Sequence, residues 1–214
     1  MPPRAPTPSA PVRELPTPHG PARVHVHAAA SARGALVLGH GAGGGVAAPD
    51  LTAARDAALA SGVGVALVEQ PYRVAGRRSP APARQLDAAW VAVVETLRAE
   101  ELQRLPLLVG GRSSGARVAC RTAAQVGAAG VLCLAFPLVP PARAGARTPR
   151  PSRLPKLEAV DVPVLVVQGE RDRFGVPPAA PGREVVRVRG DHSLRGDRDA
   201  LAAAVTAWLD RVLA

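Results

Sequence analysis

The run Leu105-Pro106-Leu107-Leu108-Val109-Gly110-Gly111-Arg112-Ser113-Ser114-Gly115 carries more structural information than any other stretch of this chain. An apolar segment that enters Gly-x-Ser-x-Gly and continues into a helical pattern reads as a buried strand, a tight turn and a helix. That shape suits a nucleophile. A serine hydroxyl is weakly reactive, so it must stand on a sharp turn where a histidine can take its proton. The flanking glycines fall where strand and helix pass too closely for side chains. The turn also aims backbone N–H groups at the start of the helix towards a developing oxyanion.

Working outward, the chain alternates apolar runs with amphipathic stretches. Strands are expected at Ala35–Leu38, Val63–Val68, Leu107–Val109, Val131–Ala135, Val164–Gln168 and Glu184–Val188, with Arg23–Ala28 as a half-exposed early strand. Most are continuously apolar, as in a parallel sheet covered on both faces. Asp50, behind Pro49, is expected to cap a helix running to about Ala60. Leu86, Trp90, Val93, Val94 and Leu97 share one helical face, and so do Leu201, Val205, Trp208, Leu209 and Val212. Both tryptophans therefore belong to core packing. The fold class that follows is α/β: a three-layer α/β/α sandwich around a mostly parallel, doubly wound sheet. A Pro-rich arm over residues 1–22 precedes a single domain over residues 23–214. Residues 137–157 break the rhythm with prolines and the cations Arg143, Arg147, Arg150, Arg153 and Lys156, and no acid. Proline at that density prevents a long helix, leaving a short lid or an irregular loop.

Composition narrows the function classes. The formal charge is +10, but only Lys156 of the 27 basic residues is lysine, and the chain has no Ile or Asn. Arg, Ala, Gly and Pro share GC-rich codons, so the arginine excess reflects genome composition before it reflects a partner. With few aromatics and no recognition motif, no nucleic-acid partner is expected. Cys120 and Cys133 lack metal-ligand spacing and read as small core residues in a reducing compartment. No run reaches the roughly 18 apolar residues of a membrane span, and Met1-Pro2-Pro3-Arg4 has no apolar segment behind it. The expected location is cytoplasmic, with no membrane partner. No feature marks an oligomeric state.

An elbow serine needs a base, an acid and an oxyanion hole. Asp172 follows the strand ending at Gln168, and His192 follows the strand ending at Val188. In a parallel sheet, residues just past the carboxyl ends of strands gather along one edge. Ser113, Asp172 and His192 can therefore meet, in the chain order of α/β-hydrolases. Glu170 and Asp191 flank these positions as alternative orienting acids. Gly39-His40-Gly41-Ala42-Gly43-Gly44-Gly45 follows another strand and can offer N–H groups at the oxyanion position, with His40 as a positioning residue beneath the loop. The same glycines fit G-x-G-x-x-G, and Glu69 ends the next strand, so a dinucleotide-binding reading competes. His25 and His27 share a strand face, are expected to face solvent, and have no further ligands for a metal.

With these motifs assembled, the chain resembles α/β-hydrolases. It looks most like the small, nearly capless family of bacterial predicted hydrolases and animal testis-expressed and chromatin-complex homologues, relatives of dienelactone hydrolase. The resemblance is carried by His40-Gly41-Ala42-Gly43-Gly44, Glu69-Gln70-Pro71-Tyr72-Arg73, Gly110 through Arg117, Phe136 through Pro141, Gln168 through Gly175, and Asp191-His192-Ser193. It implies little or no cap domain, Ser113 as nucleophile, His192 as base and Asp172 as acid. Such proteins commonly have Met where Ser114 stands, which matters little if Ser114 contributes only its N–H. They commonly have His where Val139 stands, so any role that such a histidine has near the site does not carry over to this chain. The expected function is hydrolysis of a small ester, thioester or related acyl substrate, without metal or organic cofactor. The animal complex subunits make a non-catalytic interaction protein the alternative.

Overall fold

The computed structural model describes residues 11–100, 102, 104–140 and 150–214. Eight strands form one sheet: β1 (Val12–Leu15), β2 (Ala22–His27), β3 (Gly34–Gly39), β4 (Val63–Glu69), β5 (Leu107–Arg112), β6 (Gly130–Leu134), β7 (Val164–Gly169) and β8 (Arg183–Val188). Their spatial order is β1-β2-β4-β3-β5-β6-β7-β8. From β4 to β8 every pairing is parallel, while β1 and β2 are antiparallel additions at one edge. β3, β5, β6 and β7 are buried almost throughout, which explains their continuous apolar runs.

Two helical layers cover the sheet. On one face lie α3 (Ala83–Glu100), α4 (Ser114–Thr122) and the short α5 (Leu154–Glu158), packing Trp90, Val94, Leu97 and Val118 against Val109, Val131 and Val166. On the other lie α1 (Pro49–Ala60) and α6 (Arg198–Val212), packing Leu51, Ala54, Leu201 and Trp208 against Leu36, Leu108, Leu132 and Leu165. Each layer is anchored by one almost fully buried tryptophan, Trp90 or Trp208. Truncating either to alanine is expected to cost about 3–5 kcal/mol. Cys120 and Cys133 are buried free thiols, their sulfurs 3.5 Å apart between α4 and β6.

Several expectations change. The arm expected over residues 1–22 contains a strand: Val12–Leu15 has no proline, pairs with β2, and buries Leu15 in the core. Residues 1–10 lie outside the described residues. Asp50 is not the cap of α1. Ala48 holds that position, Pro49 opens the helix, and the Asp50 side chain is buried. His25 and His27 are half-buried, not solvent-facing, with His25 Nε2 3.7 Å from Glu69. A one-turn helix, α2 (Pro71–Val74), follows β4. Within 137–157 the described part holds α5 and no cap domain, and residues 141–149 lie outside the described residues. No described helix is long and apolar enough to cross a membrane.

Candidate active site

Ser113 sits between β5 and α4 with φ 52° and ψ −98°, a backbone conformation that non-glycine residues rarely adopt. Strain of this kind costs about 1–3 kcal/mol and persists only where the surroundings enforce it. Here the Ser113 N–H donates to the Leu134 carbonyl of β6 at 2.8 Å. The glycines on either side let the turn press against the end of β3. A Cβ at Gly111 would lie 2.4 Å from the Gly39 carbonyl oxygen, and one at Gly115 would lie 2.3 Å from it. The sequence pattern therefore has a steric cause.

The three side chains expected to converge do meet. His192 Nε2 is 3.0 Å from Ser113 Oγ, and His192 Nδ1 is 2.7 Å from Asp172 Oδ2. An ionised carboxylate only accepts, so Nδ1 carries the proton and Nε2 is left to accept from the serine hydroxyl. The Asp172 side chain is fully buried, and its other oxygen accepts the Phe174 N–H at 2.9 Å. Phe174 also packs its ring edge-on to the imidazole, the centroids 4.5 Å apart. β7 and β8 are neighbours, and the loops past them are stitched together by Glu170 N–H to the Val188 carbonyl and Arg171 N–H to the Gly190 carbonyl. The alternative acids are elsewhere. Glu170 is exposed, and Asp191 Oδ1 accepts from the Ser193 N–H and hydroxyl.

A buried amide that the sequence reading did not assign supports the acid. Gln168 Nε2, inside β7, donates to Asp172 Oδ2 at 2.7 Å and also reaches the carbonyls of Gly175 (3.0 Å) and Phe136 (3.1 Å). Its one-dimensional signal was a polar residue ending an otherwise apolar strand.

The loop after β3 is held by two further side chains. His40 is buried, and burial pushes its pKa below the usual histidine value. As a neutral ring it donates from Nδ1 to the Gly41 carbonyl (2.8 Å) and accepts the Gln70 N–H at Nε2 (3.1 Å). The Tyr72 hydroxyl donates to the Ala42 carbonyl at 2.9 Å. In a trans peptide the N–H points opposite the preceding carbonyl. Tying down the carbonyls of Gly41 and Ala42 thus fixes the N–H directions of Ala42 and Gly43. Ser114, first in α4, has an N–H without a helical partner. Gly43 and Gly44 face open space. A recess of about 440 Å³ opens beside Gly43, Gly44, Arg112, Ser193 and Arg195. A second, of about 500 Å³, lies at the amino ends of β7 and β8, away from Ser113. Glu69, the acid of the dinucleotide reading, lies 3.6 Å from Arg23 and beside His25 on β2. Among the described residues no group of three His, Cys, Asp or Glu side chains is placed to hold a metal.

A family model described as an alpha/beta hydrolase domain matches residues 32–199. No curated protein sequence matches the chain. Among solved structures, it is similar to an α/β serine hydrolase without lid from Xanthomonas campestris, with TM-score 0.76 and 20% identity over 96% of this chain and 95% of that one. It is similar to dienelactone hydrolase from Anabaena variabilis, with TM-score 0.74 and 16% identity over 94% and 97% of the two chains. It is also similar to Est1E from Butyrivibrio proteoclasticus, with TM-score 0.74 and 13% identity over 94% and 98%.

Proposed function

The chain belongs to the alpha/beta hydrolase family, and on that premise we propose that it is a serine hydrolase that cleaves a small ester, thioester or related acyl compound through an acyl-enzyme. The observation that carries this reading is the continuous relay from Asp172 through His192 to the Ser113 hydroxyl, at 2.7 and 3.0 Å.

Ser113 Oγ attacks the acyl carbonyl carbon as its proton passes to His192 Nε2. The carbonyl π electrons move to oxygen, and the N–H groups of Ser114 and of Ala42 or Gly43 stabilise that oxyanion. Asp172 stays ionised throughout, holds the imidazole in the required tautomer, and stabilises the imidazolium. When the intermediate collapses, the leaving alcohol or thiol takes the proton from Nε2. Water then attacks the Ser113 ester with His192 again as base, releasing the acid and restoring the serine. Every step uses protein groups and water alone. The recess beside Gly43 and Ser193 offers space for a small substrate group.

Steady-state hydrolysis of a panel of p-nitrophenyl esters and thioesters tests the reading. Ser113→Ala should lower kcat/KM by at least about 10³-fold, as loss of a nucleophile does in such triads. Turnover by Ser113→Ala within tenfold of the wild type would reject it. Absence of turnover by the wild type across the panel would favour the non-catalytic alternative.

A further inference from the structure

Arg112, last in β5 and directly before Ser113, touches three separate segments with its three guanidinium nitrogens. Nε lies 2.9 Å from Oδ2 of Asp50, in the first turn of α1. Nη2 donates to the main-chain carbonyl of His192 at 3.1 Å. Nη1 lies over Gly41, where a Cβ would fall 2.7 Å from it. The missing side chain at Gly41 therefore makes room for the guanidinium, not for a substrate. Arg112 is largely enclosed, its side chain 19% exposed, and that of Asp50 is fully buried.

The Asp50–Arg112 contact is close, yet Asp50 Oδ2 has no well-aligned donor, so it is an ion pair without an ideal hydrogen bond. Burial pushes the Asp50 carboxyl up, and the Arg112 charge opposes that rise. A buried pair of this kind contributes little net stability, because desolvating both ions offsets their attraction. Geometry is the better account of why it is there. α1 begins where the oxyanion loop ends, and the His192 loop, tied to the β7 loop on one side by main-chain bonds, meets the nucleophile turn through the His192 side chain and through Arg112. A planar fork with N–H groups in several directions can tie both to the elbow, whereas an ammonium is a single point charge.

We propose that Arg112 is a positioning residue whose guanidinium locks the oxyanion loop, the first turn of α1 and the His192 loop to the nucleophile turn. The proposal rests on Ser113 and His192 acting as nucleophile and base. Displacements of about 1 Å in such constellations cost up to roughly 10²-fold in rate. Arg112→Lys keeps a charge for Asp50 and loses the fork. It should lower kcat by about 10- to 100-fold with KM within about threefold. The paired replacement Asp50→Leu with Arg112→Met should retain near-wild-type stability to urea and show the same loss of kcat. In Arg112→Ala, millimolar guanidinium should restore part of kcat where equal sodium chloride does not.

A second readout does not depend on turnover: the downfield proton NMR signal of the His192 Nδ1–H bonded to Asp172. It should be sharp in the wild type and broadened or lost in Arg112→Lys. Wild-type kcat and an unchanged His192 signal in Arg112→Lys would overturn the proposal. If the wild type hydrolyses nothing, the hydrolase reading fails separately, and the NMR comparison alone then decides for or against the role of Arg112.

Discussion

Replacing Gln168 with methionine keeps the length of the side chain and removes its amide. In the wild type this amide, at zero exposure, donates to the Asp172 carboxylate and bridges the carbonyls of Phe136 and Gly175. A hydrogen bond to a charged acceptor contributes about 1.5–3 kcal/mol, and each buried carbonyl that loses its donor costs about 1 kcal/mol or more. Two corrections reduce the sum. An amide has only two N–H groups for three acceptors, and the Gln168 Oε1 atom is itself buried without a partner. Gln168→Met should therefore destabilise the fold by about 2–4 kcal/mol, read as a lower urea midpoint with unchanged m-value. Asp172 would keep its bonds to His192 and the Phe174 N–H but lose a third donor. Its hold on the imidazole weakens, so kcat should fall by about 10- to 100-fold while KM moves less than about threefold. Stability within about 0.5 kcal/mol of the wild type, together with wild-type kcat, would refute this account of the buried acid.

His40 gives a pH signature. Its folded pKa lies below the ordinary value of 6.5, so on acidification the unfolded chain takes up that proton first. Its contribution to stability is complete above about pH 6.5 and is lost as pH falls towards the folded value. His40→Gln should accordingly lose less stability than the wild type between pH 7.5 and 5.5 in urea titrations; equal losses would count against a neutral, buried His40. The two sets of glycines should behave differently. Gly115→Ala would place a methyl 2.3 Å from the Gly39 carbonyl and should prevent stable folding, whereas Gly43→Ala meets nothing within 4 Å and should leave the melting temperature nearly unchanged. Similar melting temperatures for both variants would contradict the close approach of elbow and β3.

Ser113, Asp172 and His192 were legible because each follows the end of an apolar run, and a parallel sheet turns that one-dimensional fact into proximity. The six strands β3 to β8 and the helices α1, α3, α4 and α6 were legible too, most of the strands as continuous apolar runs and most of the helices as apolar stripes at helical spacing. Val12–Leu15 was not. Four residues between prolines, at an edge with only Leu15 buried, show no pattern longer than chance. α2 and α5 are too short to establish a helical period. Asp50 looked like a cap because acids are common beside Pro at helix starts, but its partner Arg112 is 62 positions away and no local pattern announces the pair. Tyr72 and Gln168 were visible only as motif residues. Their work, on the Ala42 carbonyl and the Asp172 carboxylate, depends on which loops the sheet order brings together.

The central claim is that Ser113 is the nucleophile, and labelling with a fluorophosphonate followed by peptide mass spectrometry tests it most directly. The reagent reacts with a serine activated by a neighbouring base and does not require the natural substrate. The account predicts a single adduct on the peptide carrying Ser113, absent in Ser113→Ala and formed much more slowly in His192→Ala. An adduct on Ser114 or another serine, or labelling that persists undiminished in Ser113→Ala, would contradict it.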